Sequence, residues 1–575
     1  MRALLTWVWV GLAVPAVAVA QAIAPLIGNP IERMEPAQAP RVAPALQEPP
    51  PVARTGPGAA LTVTLGEVSV QGNTALPSTR FASALAPLRG RAVTLAQVEE
   101  ARIAVLSTYR QQGFPFAAVD AGLTPRADGG TDLQLRVTEG WIAEVRLDGD
   151  IGPAGTQVLR FLNPLTMERP ITSSALERAL LLASDIPGVT VRAVVRPLAG
   201  EPGALQLVAQ VARRAVTGYF NLDNRASDLA GPWQGLLGVS LNALTEYGER
   251  TEVSVYGAEG WTQDFLQVNQ EAFIGSSGLR LRGYIGGGRG RPGSTLAAIG
   301  YLGDTRVGGL GLSYPIIRRR PVSLFVTGVV DAFQSEVRTG IDGNSSLASR
   351  DEVRAARLGL ELQALDGFIP FLPPGVTQAQ LRLHQGIDGL GSTENGDPRA
   401  ARAGSIYDFS KATFDLQRNQ PLFDIAEGWT VGLQIVAAGQ YSRNILPQVE
   451  KFYLGGSRLN RGYYAGQVTG DSAITGSVEL QLSSTIELPG DAPWGIGNRL
   501  DVQFYAFRDQ GKTWENLESD LNARLVSQGG GVRLNLSNSI AFDFEGVRRL
   551  TRFPNGTGAA PLDNNGFYFR TLVRF

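Results

Sequence analysis

Residue types able to do covalent or metal chemistry are scarce in this chain. It has no cysteine and a single histidine, His384, which rules out thiolate nucleophiles, disulfides and Cys/His metal centres. A histidine-based acid–base site has one candidate, and His384 lies on the stretch Gln380 to Gln385, where it reads as a lumen- or interface-facing strand residue. No complete Walker-type loop, Gly-x-x-x-x-Gly-Lys-Ser/Thr, occurs, and the run Gly286-Gly287-Gly288-Arg289-Gly290-Arg291 reads as a flexible loop rather than a phosphate cradle. What remains is pairing between arginine and carboxylate. Two stretches offer it: Phe452-Tyr453-Leu454-Gly455-Gly456-Ser457-Arg458-Leu459-Asn460-Arg461-Gly462-Tyr463, and Phe507-Arg508-Asp509-Gln510-Gly511. The first, taken alone, is equally a surface turn. The second continues an alternating segment in which Leu500, Val502, Phe504 and Ala506 share one face, so Phe507, Asp509 and Gly511 share the other. A carboxylate turned into a protein interior needs a partner. Arg461 on an inward-folded loop supplies one, and Gly511 leaves room for that loop to approach.

The elements that position these residues are strands. From residue 215 onward, period-two alternation recurs in segments such as 358–364, 430–437, 477–483, 532–536 and 540–544, separated by Gly, Asn, Asp and Pro. A soluble sandwich also alternates. Segments of about ten residues repeated without a helix over so long a region are instead the pattern of a transmembrane antiparallel β-barrel. At about 22 residues per strand and connection, about 16 strands fit. The chain ends Phe567, Phe569, Thr571, Val573, Phe575 on one strand face, similar to the terminal signal by which bacterial outer-membrane proteins are recognised for insertion.

Upstream, residues 1–20 have the form of a signal peptide: Arg2, an apolar run from Leu4 to Val17, then Ala18-Val19-Ala20. Residues 21–60 are rich in proline and alanine and read as a linker, with room for a helical turn at 31–35. Two units of order strand, helix, helix, strand, strand follow, at 61–138 and 139–214. The first has a capping box at Thr94 and Gln97 and a helix stop at Gly113; the second has a predicted cap at Ser174 and Glu177. Repeated α+β units of this order on an exported chain resemble POTRA domains. Near-equal numbers of basic and acidic residues, 52 and 53, give no field for nucleic acid.

Read together, Arg461-Gly462-Tyr463 and Phe507-x-Asp509-x-Gly511 resemble the loop motif and barrel-wall partner of the two-partner secretion transporters (TpsB; ShlB/FhaC/HecB-like haemolysin secretion/activation proteins). The stretches 176–182 and 185–189 are similar to that family's second POTRA domain, and Leu222-Asp223-Asn224 to its entry into the first barrel strand. The resemblance covers residues 61–575. One departure is Asn460, where the family usually has Val before Arg-Gly-Tyr. The other is the proline-rich 21–60 stretch, weakly suited to the helix that often plugs the pore in this family.

The resemblance implies an outer-membrane transporter without cofactor or catalytic site, acting as a monomer with its POTRA domains in the periplasm. Its partners would be a secreted exoprotein client, outer-membrane lipid and, during biogenesis, the barrel assembly machinery. The lumen is expected to be polar, so that a sliding chain is not trapped. An assembly factor of the same superfamily, a barrel enzyme and a passive porin are the competing readings; two receptor modules favour secretion.

Overall fold

The computed structural model describes residues 29–35, 42, 59–227, 229–340, 344–489, 497–537, 539–554, 556 and 560–575. The expected signal peptide and most of the 21–60 stretch lie outside the described residues.

The first module follows its sequence pattern closely. Strand β1 (Thr62–Gln71) pairs in parallel with β4 (Thr131–Thr138), which pairs antiparallel with β3 (Ala118–Pro125). A short β2 (Ala92–Thr94), which the sequence reading did not include, covers the other edge of β1. Helix α1 (Leu95–Gln111) starts on the expected box: the Thr94 hydroxyl accepts from Gln97 N–H at 3.2 Å, and the Gln97 side chain accepts from Thr94 N–H at 2.9 Å. Val98, Ala101, Val105 and Tyr109 recur at helical spacing and are buried against the sheet. Gly113, at φ +87°, ends the helix as only glycine readily can.

The second module repeats the plan, with β5 (Trp141–Asp148) parallel to β7 (Ala204–Arg213), itself antiparallel to β6 (Val189–Pro197). Its helices are α2 (Ala154–Leu162) and α3 (Ser173–Ser184). The cap of α3 is Thr172, whose hydroxyl accepts from Ala175 N–H at 3.3 Å, and not the expected Ser174 with Glu177. Glu177 instead accepts the Arg320 N–H of a barrel turn at 2.6 Å. The modules are joined through Glu139, whose carboxylate accepts from Tyr109 Oη at 2.7 Å and Ala75 N–H at 2.8 Å. Burial and that neighbouring carboxylate hold the Tyr109 hydroxyl well above its usual pKa.

Sixteen antiparallel strands among the described residues, from Val216–Asp223 to Asn565–Arg574, close into a barrel. The closing ladder pairs Arg570 with Asp223 and Arg574 with Tyr219. Asn224 extends it, with Oδ1 accepting from Phe569 N–H at 2.8 Å. Leu222-Asp223-Asn224 thus ends the first barrel strand, where the resemblance suggested the entry into it. The run 286–290 is strand, not a flexible loop. Phe265 lies against it, and a Cβ on Gly286 or Gly288 would stand 2.9 or 2.6 Å from the ring, so these glycines make room for an aromatic side chain.

The second module is docked on the periplasmic turns of the barrel. Asp185 receives Arg318 on both oxygens (2.9 and 2.8 Å) and lies 3.2 Å from Arg280, all three side chains being buried. Phe273 of the barrel packs edge-on against Phe161 of α2 at 5.1 Å, within the module's own core. Asp185→Ala leaves two guanidinium groups buried without their carboxylate, so the docked state should lose about 3–5 kcal/mol. Limited proteolysis between module and barrel is the measurement, and an unchanged cleavage rate would remove Asp185 from this role.

Candidate functional site: a loop folded into the barrel

Alternation along the strand Arg499–Trp514 sets the wall of the site. Phe504 is 48% exposed on the outside, while Phe507 and Asp509 are buried on the inside. The neighbouring strand Ser472–Glu487 places Ser477 opposite Asp509 and Glu479 opposite Phe507. The loop 443–471, which leaves the extracellular end of the strand Trp429–Ser442, turns back into the lumen and brings Arg461 onto this wall.

Arg461 is almost fully enclosed. Its Nε and Nη2 donate to the two oxygens of Asp509 at 3.0 and 2.9 Å, and its backbone N–H donates to Asp509 Oδ2 at 2.8 Å. Nη2 also reaches Ser477 Oγ at 2.8 Å, and Nη1 donates to Glu479. The guanidinium plane lies 3.4 Å from the centroid of the Phe507 ring. Glu479 is shared with Arg533 at 2.5 Å, and Glu545 with Arg225 at 2.7 Å, so the charges form one network.

The flanking residues fit for steric reasons. Gly462 has φ +96°, and a Cβ there would stand 2.5 Å from Val547. A Cβ on Gly511 would stand 2.6 Å from Asn460 Oδ1 and 2.8 Å from Leu454. Tyr463 directs its hydroxyl toward the Val526 and Thr551 carbonyls at 2.7 and 2.9 Å. Asn460, the departure from the family pattern, sits at φ +52°, a region Asn tolerates and Val does not. Its side chain accepts from Thr475 Oγ1 at 2.7 Å and donates to Leu525 O at 3.1 Å.

The structure thus brings together all six residues expected of the loop and wall. The terminal residues stand apart on the outer face, where Phe567 is 81% exposed and Phe569 packs against Phe544 at 5.2 Å. Sequence reasoning missed Glu479, Arg533 and Glu545. Glu479 stood on a recognisable inward face, but register decides which inward carboxylate meets which arginine.

The same loop is held at further points. Glu450 accepts from Arg357 at 2.7 Å and pairs with Lys411 at 2.7 Å; Arg357 also binds Asp331 and lies 2.5 Å from His384 Nδ1. The one histidine is therefore an inward strand residue beside an ion network. Arg458 reaches Asp415 at 2.6 Å. At the extracellular rim, Arg402 binds Asp471 (2.6 and 2.9 Å), Glu515 (3.0 Å) and Asp520 (2.9 Å). Burial pushes the Glu515 carboxyl up to about 7, against the pull of Lys451 and Arg402.

The lumen also holds the N-terminal segment. Ile31–Met34 is a single helical turn whose Ile31 and Met34 side chains are buried. Asn221 donates to Met34 O at 2.7 Å, and Asn29 to Gln267 at 2.8 Å. Around it, Tyr256, Phe265, Tyr301, Phe333, Tyr407 and Phe409 form an apolar cluster. The uniformly polar lumen expected from the sequence is corrected accordingly: inward aromatic positions break the polar phase of several strands. Among the described residues, no group of three His, Cys, Asp or Glu side chains is arranged to hold a metal.

Comparison with known proteins agrees with this architecture. The family model for haemolysin secretion/activation protein ShlB/FhaC/HecB matches residues 298–534, and that for the ShlB-type POTRA domain matches residues 63–140. The chain is similar to CdiB from Escherichia coli, with 18% identity, a TM-score of 0.68 and 93% of this chain covering 94% of the other. It is also similar to CdiB from Acinetobacter baumannii, with 17% identity, a TM-score of 0.59 and coverages of 92% and 91%. At these identities the likeness speaks for the fold. No curated protein matches the sequence. The ShlB-type POTRA model on the N-terminal side, the ShlB/FhaC/HecB model across the loop that carries Arg461, and a closed barrel of sixteen strands among the described residues together give the chain the architecture of an outer-membrane β-barrel similar to the ShlB/FhaC/HecB secretion/activation proteins.

Proposed function

We propose that this protein secretes an unfolded exoprotein client: the periplasmic modules capture it, and it crosses through the barrel once the lumen is cleared. The observation that carries this reading is that the lumen is filled by two pieces of the chain itself, held by side-chain contacts rather than built into the wall. One is the loop 443–471, anchored at Glu450, Arg458 and Arg461. The other is the 29–35 segment, attached by a few hydrogen bonds and two apolar side chains. A passive pore has no need of either.

The modules suit capture by strand addition. The outer edge of β6 is unpaired and largely exposed, and an extended client segment added there gains backbone hydrogen bonds with little demand on its sequence. No nucleotide-binding loop was found in the sequence, so client folding outside the cell provides the direction of movement. The Arg461–Asp509 pair is assigned the role of a latch that sets the loop's position during transport. Phe507 and Gly511 give it a face and a space, and Gly462 and Tyr463 fix the backbone at its tip.

Co-expression with a candidate exoprotein encoded beside this chain, followed by assay of that protein outside the cell, tests the proposal. Arg461→Ala should still insert as a heat-modifiable barrel but lower secretion at least tenfold. Arg461→Lys should not restore it, because a lysine cannot make the two-pronged contact. Normal secretion by Arg461→Ala would show that the latch has no part in transport.

The lumenal segment gives a separate measurement. Ile31→Asp combined with Met34→Asp places two carboxylates in the apolar cluster and should displace the segment, raising single-channel conductance in planar bilayers several-fold. A conductance equal to wild type would mean that the segment does not obstruct the pore.

A further inference from the structure

On the outer face of the wall that carries Asp509, polar side chains form a level row across four strands. Arg508, Gln528, Arg548 and Asn565 are successive register partners on Arg499–Trp514, Ala523–Leu536, Ile540–Arg549 and Asn565–Arg574. The next row toward the periplasm is Ala506, Gly530, Gly546 and Phe567, and the one after it Phe504, Val532, Phe544 and Phe569. Gly546 and Phe567 of the nearer row line a shallow groove of about 460 Å³ together with Arg508, Gln528, Arg548 and Asn565. Its floor is thin, since the inward residues Phe507 and Val547 also line it.

Arg508 and Arg548 are both exposed, and among the described residues neither has an ion-pair or hydrogen-bond partner. Their neighbours along the row are Val478, Gln528 and Asn565, none of them acidic. Two rows further out, Lys512 and Arg524 face each other, also exposed. Unneutralised cations on a lipid-facing wall are costly at depth and tolerated at the head-group level, where they gain from anionic lipid. This end of the strands is extracellular, because the first barrel strand follows directly from the periplasmic modules. The leaflet here is the outer one.

We propose that this groove binds a phosphorylated glycolipid of the outer leaflet, of the lipid A class. Its phosphate lies between Arg508 and Arg548, and an acyl chain runs down over Gly546 against Phe567. The two arginines stand on strands two spacings apart, roughly 9–10 Å, a gap that two long side chains close around one phosphate. Gln528 between them offers a hydrogen bond to the sugar. The apolar rows below continue the contact into the acyl region.

The full-length protein, purified in detergent and stripped of lipid, would be titrated with bisphosphorylated lipid A, with its dephosphorylated form and with phosphatidylglycerol. Bound adducts would be read by native mass spectrometry. The expected result is retention of bisphosphorylated lipid A, with a loss of tenfold or more in Arg508→Gln combined with Arg548→Gln. Gly546→Val should also weaken binding while keeping both charges, since a Cβ there meets Phe567 and the Gly530 carbonyl at ordinary contact distances. Heat-modifiable migration on gels confirms that each variant is folded. Wild-type binding by both variants would overturn the proposal, as would equal binding of the dephosphorylated glycolipid. Equal binding of phosphatidylglycerol would assign the row to general anionic attraction and overturn the glycolipid assignment.

Discussion

A charged side chain inside a filled barrel has no bulk water to fall back on, and its neighbours must supply what water would have supplied. Most of the interior follows from that constraint. Arg461 meets it with a bidentate carboxylate, a second carboxylate, a hydroxyl and an aromatic face, all contributed by two adjacent strands. Each carboxylate drawn in then needs further balance, which is why Arg533 and Arg225 stand behind Glu479 and Glu545. Removing one member leaves several others exposed to the same cost. The network therefore specifies where the loop sits more sharply than it stabilises the barrel.

The same logic acts at the base of the barrel and at its rim. Asp185 reaches from the second module between Arg280 and Arg318, adding a buried ion cluster to the Phe161–Phe273 packing and the Glu177–Arg320 bond that also hold the module. Arg402 gathers Asp471 from the folded-in loop, and Glu515 and Asp520 from one further extracellular connection. Three clusters at three heights tie module, loop and rim to one frame. The 29–35 segment is anchored differently, through the Asn29 and Asn221 hydrogen bonds and the buried Ile31 and Met34 side chains.

Much of this was legible in the sequence because period and cap chemistry are local. The phase of Leu500 to Ala506 fixed the inward direction of Asp509, and Thr94 with Gln97 marked the start of α1. The failures also have local causes. A glycine run reads as a loop when the aromatic that covers it, Phe265, is on another strand. Thr172 rather than Ser174 caps α3, and Glu177, the expected partner, bonds a barrel turn that is remote in sequence. The apolar lumenal cluster was hidden because its members come from strands far apart in sequence. The six loop and wall residues were found only by placing two distant stretches together; the register that adds Glu479 and Glu545 is a property of the closed sheet.

The row of Arg508 and Arg548 has a mechanical consequence as well. On the strand of Arg508 the unbroken run of outward apolar side chains spans Leu500 to Ala506, and Trp514 returns to that face only at the extracellular end. At about 3.3 Å per residue and about 40° of tilt, this stretch spans roughly 15–18 Å of height, less than the apolar band of about 25 Å usual for such barrels. Hydrocarbon of ordinary thickness overreaches it. With Arg508 and Arg548 at the head-group level, as proposed, the bilayer thins beside these strands or the barrel leans to sink them. Either response makes the membrane asymmetric around the protein, with its shortest side against the wall to which the loop is fastened.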